Sequence, residues 1–200
     1  MKLLAGYEIL DYTPEMVNES KLKNGGKIIL RGLMQKADAL NQNGRVYSKA
    51  ILDREVRNYQ KLIIENRALG ECDHPDSSVI NLKNVSHIVR ELKMDGNEVI
   101  GAIELLDTPC GKIAQSLVES GVKLGISSRG VGSTTTENGA VKVQDDFILI
   151  GFDLVSEPST TQAFMLPEGK MLFGQAHDTI RNIMTRSDRI DRIMNSILNK

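Results

Sequence analysis

The 200-residue sequence contains no tryptophan, and aromatic residues make up only 4% of it. Hydrophobic residues still reach 40%, so a core has to be built from Ile, Leu, Val and eight Met. A platform of aromatic rings for stacking single-stranded bases is not expected. Cysteine is scarce as well. Cys72 and Cys110 cannot supply the disulfide framework of a small secreted domain, which points to a reducing compartment. Nor is there an excess of one charge. The 25 Lys plus Arg against 26 Asp plus Glu give a formal charge of -1, without the basic bias of a nucleic-acid binder. No apolar run approaches the roughly 18 residues of a membrane span, and Gly6 and Glu8 interrupt MKLLAGYEILDY before it could act as a signal peptide. A cytoplasmic protein with no membrane or nucleic-acid partner is expected. One core suffices, since a chain of this length buries about 70% of its unfolded surface.

The sequence is well punctuated. KIILRGLMQK (27–36) follows Asn24-Gly25-Gly26 and reads as a strand, with a loop at Asn41 to Gly44. Ser48 stands where it would cap a helix to about Arg67, with Ile51, Leu52, Val56, Tyr59 and Ile63 at helical spacing. Asp95-Gly96 separates two β-rich runs, 84–94 and 97–106, as in a hairpin. Pro109 introduces a second helix over about 111–120 that ends near Gly121. Runs at 124–131, 140–144 and 147–155, broken at Asn138-Gly139 and Asp145-Asp146, predict a meander closing an antiparallel sheet or barrel. Beyond Pro158 the pattern becomes irregular. A helical tail is expected from about Gln175 to Asn199, where Ile183, Ile190 and Ile197 recur at heptad spacing. Two segments result, a body over 1–168 and a tail over 169–200, the tail either packing on the body or binding a partner.

Only three histidines can serve as a general base: His74 in GECDHP, His87 in VSHIV and His177 in the tail. His74 sits at the edge of a loop, where a rigid scaffold can present an imidazole. His87 lies within a strand run, where alternation over 85–89 suggests a packed or rim histidine. Cys72, Asp73, His74 and His87 contain metal-ligand types, but their spacing matches no zinc signature, so neither metal nor cofactor is expected. Ser127 and Ser128 in GISSRG are the candidate nucleophiles, and a strand would point them to opposite faces. Arg129 and Gly130 follow directly, a guanidinium and a glycine-flanked N–H that could face a developing oxyanion. Asp153 lies in the apolar run FILIGFDLV. Burying a lone carboxylate there is costly unless it finds a partner, an imidazolium or an arginine, and the alternative is a solvent-facing edge.

Four blocks, NQNGRVY (41–47), ALGECDHP (68–75), GISSRGVGS (125–133) and GFDLVSEPS (151–159), together resemble the prohead core protein proteases of T-even-type tailed phages. The similarity spans roughly residues 28 to 168. These enzymes are similar to the herpesvirus assemblins, so the resemblance implies an α+β protein, an antiparallel β-barrel flanked by helices. It also implies a serine endopeptidase with His74 as base, Ser127 as nucleophile and Asp153 as the third member, while Arg129 and Gly130 are oxyanion candidates. Substrates would be phage scaffold, core and capsid proteins, cut after Glu with an aliphatic residue two positions earlier. The expected location is the immature capsid in the host cytoplasm, and a homo-oligomer is expected. Leu166-Pro167-Glu168 fits that preference and makes Glu168 the autocleavage candidate, lying in the irregular stretch before the tail. The alternative is a non-catalytic scaffolding protein that keeps a protease-like fold.

Overall fold

The structure is a computed structural model that describes residues 12–75, 77–137 and 139–168. In chain order its elements are α1 (Pro14–Lys23), β1 (Ile29–Lys36), β2 (Arg45–Val46), α2 (Lys49–Ile64), β3 (Leu69–Glu71), β4 (Val85–Asp95) and β5 (Glu98–Leu105). There follow α3 (Pro109–Glu119), β6 (Gly125–Val131), β7 (Thr134–Glu137), β8 (Ala140–Val143), β9 (Ile148–Val155) and β10 (Leu166–Pro167). All of them fall in the first of the two units into which the chain divides, residues 1–168. The expected tail helix and its heptad lie outside the described residues.

Local chemistry accounts for the elements that the sequence announces. Gly96 takes φ 62°, a left-handed conformation that glycine adopts without a Cβ penalty, and so turns β4 back into β5. Ser48 caps α2 by accepting a hydrogen bond from the Ile51 N–H at 3.3 Å, and Thr108 caps α3 by accepting from Gly111 N–H at 3.0 Å. The apolar stripe of α2 buries Ile51, Leu52, Val56 and Tyr59 against β4 and β9. Tyr59 meets Phe152 edge-on, with ring centroids 6.1 Å apart. α3 packs on β4 and β5.

The described strands do not form the expected closed barrel. The largest sheet has five strands in the order β10-β1-β5-β4-β3, and β6 and β9 form a two-stranded sheet of their own. Two isolated bridges, Cys72 with Leu154 and Gly125 with Phe164, set that pair against the chain beyond β3 and just before β10. Strand pairing breaks at those two places. The meander is corrected as well. β6 pairs antiparallel with β9 across the intervening chain, while the β7–β8 hairpin turns away and pairs with β2. Every residue of β7 is exposed, whereas β8 buries Val143 in the core.

The stretch before the tail is more regular than its composition suggests. Leu166 and Pro167 pair with Arg31 and Leu30 of β1, and the Glu168 N–H donates to Ile29 O at 2.8 Å. Proline is tolerated here because β10 lies at the sheet edge and needs no donor on its open side.

Candidate active site

Alternation along a strand puts Ser127 and Arg129 on one face of β6 and Ser128 on the other. Ser127 stands directly opposite Asp153 of β9, so the hydroxyl, the guanidinium and the carboxylate share one face. His74 reaches it from another direction. Leaving β3, Asp73 takes φ 62°, a conformation that Asp tolerates better than most side chains. Its N–H donates to Leu154 O at 2.8 Å. The turn sets His74 beside Asp153, with Nδ1 2.9 Å from Asp153 Oδ2.

Asp153 is fully buried and surrounded by donors. Arg129 Nε donates to Oδ2 at 2.8 Å, Arg129 Nη2 to Oδ1 at 3.1 Å, and the Glu71 N–H to Oδ1 at 3.1 Å. Burial alone would raise this carboxyl, but the bonds from His74, the Glu71 N–H and Arg129 outweigh it and hold the group below the usual carboxylate range. Asp153 is therefore ionised and can only accept. The proton between it and His74 belongs to Nδ1, which leaves Nε2 with a free lone pair. The imidazole is 41% exposed, and it can be reached from solvent.

The Arg129 side chain does not suit an oxyanion donor. Besides Asp153 it reaches Glu71, with Nη2 donating to Oε1 at 2.8 Å, and Nη1 donates to Ser77 O at 2.8 Å. All three nitrogens donate to acceptors of the protein itself, so the guanidinium organises the site from beneath. Gly130 follows a register shift in β6 and is exposed. A Cβ there would lie 2.5 Å from Ile148 O and from the Phe147 ring, so packing explains this glycine.

Ser127 is 2% exposed, and its Oγ lies 3.0 Å from Ser159 Oγ, to which it is hydrogen-bonded rather than to the imidazole. Ser159 is itself anchored, since its carbonyl accepts from the Gln42 N–H at 2.8 Å. Residues of all four blocks noted in the sequence thus converge here. His87 is set apart as a packed residue. Its Nε2–H donates to Phe152 O at 3.0 Å, Nδ1 accepts from Ser86 Oγ at 2.9 Å, and burial pushes the ring's pKa down to about 4. Cys72 is half-buried and its thiol is raised by desolvation, the opposite of an activated thiolate. Among the described residues no group of three or more His, Cys, Asp or Glu is arranged to hold a metal ion.

Sequence reasoning missed Glu71. It is a fully buried acid in the apolar run ALGEC, the same signal that drew attention to Asp153.

A family model described as prohead core protein serine protease matches residues 4–171. The prohead core protein protease of Enterobacteria phage T4 is 28% identical over 169 residues, 80% of this chain and 79% of that protein. The solved structure of the bacteriophage T4 capsid assembly protease is similar with a TM-score of 0.61 and 29% sequence identity, over 65% of this chain and 82% of that one.

Proposed function

Because the chain belongs to the family of prohead core protein serine proteases, we propose that it is a capsid-maturation endopeptidase working by acyl transfer through Ser127, His74 and Asp153. The observation that carries this reading is the bond from His74 Nδ1 to an ionised Asp153 at 2.9 Å, on the strand face that also bears Ser127. The chemistry follows from the tautomer. Ser127 Oγ leaves Ser159 and attacks a peptide carbonyl while His74 Nε2 takes its proton. The imidazolium then protonates the leaving amine, the C–N bond breaks, and an acyl-serine remains. Water, deprotonated by the same Nε2, hydrolyses that ester and restores the serine. Asp153 keeps the imidazole oriented and stabilises its cationic form. Backbone N–H groups are the natural oxyanion donors, with Gly130 the candidate, since the Arg129 side chain is already committed.

The substrates proposed are the scaffold, core and capsid proteins of the prohead, met inside the immature capsid by a homo-oligomer and cut after Glu in an aliphatic-x-Glu context. Self-cleavage after Glu168 belongs to the same reading, but the site has to be freed first. Leu166 and Pro167 are paired to β1, and the Glu168 carboxylate lies 3.3 Å from Arg31 Nη2. Of the other matches to this pattern, Val17-Asn18-Glu19 lies in α1, Ile63-Ile64-Glu65 at the end of α2, Leu69-Gly70-Glu71 in β3, Val89-Arg90-Glu91 within β4 and Leu117-Val118-Glu119 in α3, while Val155-Ser156-Glu157 is followed directly by Pro158. An edge strand of two residues opens more readily than a helix. Release of residues 169–200 is therefore the expected first cut.

Purified full-length protein incubated alone and with an aliphatic-x-Glu peptide, its products weighed by mass spectrometry, tests this. Peptide cleavage that is lost in Ser127→Ala supports the acyl-transfer reading. An unimpaired Ser127→Ala variant overturns it. No fragment ending at Glu168, in a preparation that cuts the peptide, overturns self-release alone.

A further inference from the structure

We propose that Glu71 is a positioning residue for the reaction: through Arg129 it fixes the Asp153 carboxylate, and it supplies the second buried negative charge that favours a proton on His74. This rests on the acyl-transfer reading above and adds a fourth member beneath the three.

Glu71 is fully buried. Its Oε1 accepts from Arg129 Nη2 at 2.8 Å and from the Asn81 N–H at 3.0 Å, and its own N–H donates to Asp153 Oδ1. One residue therefore grips Asp153 directly by its backbone and indirectly by its side chain. Its other carboxylate oxygen, Oε2, has no hydrogen-bond partner among the described residues. A buried carboxylate oxygen without a donor is costly, and a glutamine of the same shape would answer Arg129 and Asn81 through its Oε1 alone. The charge is what the glutamine lacks.

Counting charge explains its use. Glu71 and Asp153 contribute two negatives and Arg129 one positive, which leaves the buried cluster one negative in excess. Among the described residues, the other groups facing it do not cancel that excess. Tyr59, from α2, is raised by burial and stays a neutral phenol. His87, from β4, has its pKa pushed down to about 4 by burial and is neutral. Cys72, beyond β3, is raised by desolvation and stays a thiol. Asp73 is exposed to solvent. A proton on His74, as in the tetrahedral intermediate, brings the cluster to neutrality, so the site is least strained electrostatically when the reaction needs its imidazolium. Arg129 joined to Asp153 alone would give a neutral cluster, in which a proton on His74 would stand as an uncompensated positive charge.

Glu71→Gln keeps the Oε1 acceptor and removes the charge. The expected result is a fall in kcat of about 10- to 100-fold with KM little changed. The acid limb of the pH profile of kcat/KM should move about one pH unit lower, the order expected when one elementary charge leaves a partly buried cluster. A residue with a merely structural role would lower thermal stability and leave the acid limb of the surviving activity in place. Ser127→Ala run in parallel separates the two readings. A dead Ser127→Ala with wild-type kcat and acid limb in Glu71→Gln overturns the Glu71 proposal alone, and an active Ser127→Ala overturns the reading beneath it. Should Glu71→Gln fail to fold, Glu71→Asp keeps the charge on a shorter stem. It is expected to lose kcat while holding the wild-type acid limb, and an acid limb displaced downward in that variant overturns the proposal.

Discussion

Asp153→Asn removes one charge and replaces one acceptor with a donor, and the surrounding geometry says which oxygen changes. The Oδ1 position faces two obligate donors, Arg129 Nη2 and the Glu71 N–H. The Oδ2 position faces Arg129 Nε and His74 Nδ1, and of these the imidazole can change tautomer. The asparagine amide therefore settles at Oδ2, donates to His74 Nδ1 and drives the ring proton to Nε2. The base then carries its proton on the nitrogen that should receive one. The expected loss in kcat is about 10^4-fold, the magnitude established for this replacement in a chymotrypsin-like protease with the same chemistry. Stability falls too. Breaking a buried ion pair costs about 3 to 5 kcal/mol, and the lower end applies because Glu71 still faces Arg129. Peptide cleavage under saturating substrate, with urea unfolding on the same preparation, reads both quantities. A folded Asp153→Asn variant within tenfold of the wild-type kcat would refute the tautomer argument and the role of Asp153 with it.

Buried neutral His87 makes stability pH-dependent: its folded pKa, about 4, lies below the unfolded value, so the unfolded chain binds the extra proton first. Between roughly pH 6.5 and 4 this one group should cost the fold about 3 kcal/mol on acidification, and an unfolding series in which His87→Gln keeps the same slope in that window would contradict it. Gly70→Ala should destabilise by about 2 to 4 kcal/mol, because its Cβ would lie 2.1 Å from Phe152 O and 2.3 Å from His87 Nε2. A wild-type melting temperature in that variant would show that β3 can draw back from β9 without loss. Ser159→Ala removes the hydroxyl that holds Ser127, a hydrogen bond worth about 1 kcal/mol net, so kcat should change by no more than about fivefold. A loss on the scale of Ser127→Ala, in steady-state assays, would make Ser159 an obligatory participant.

Elements with a local cause were legible in the sequence. Asp95-Gly96 marks its hairpin by turn chemistry, and Ser48 and Pro109 mark helix starts by capping and by a fixed φ. β3 and β10 were not legible, because two- and three-residue strands carry no periodicity and exist only through partners far along the chain, His87 and Ile88 for β3 and Leu30 and Arg31 for β10. The barrel that the resemblance implied fails for a related reason: strand pattern reports faces, whereas closure depends on pairing between distant edges. His74, Ser127 and Asp153 stood out by residue type and motif. Arg129 did too, but its adjacency to Ser127 suggested a donor for substrate. Its commitment to Asp153 and Glu71 appears only once β3 has docked. Glu71 could have been found by asking of ALGEC what was asked of FILIGFDLV, namely which cation a carboxylate inside an apolar run must meet.

Ser127 Oγ is the proposed nucleophile, and a fluorophosphonate that labels activated serines addresses it directly. Treating the purified protein with this probe, digesting it and mapping the mass shift by tandem mass spectrometry should place one phosphonyl group on Ser127. Labelling should be abolished in Ser127→Ala and strongly reduced in His74→Ala, while Ser128→Ala labels as the wild type does. A phosphonyl group on Ser128 or Ser159, or undiminished labelling of the His74→Ala variant, would contradict the assignment of nucleophile and base.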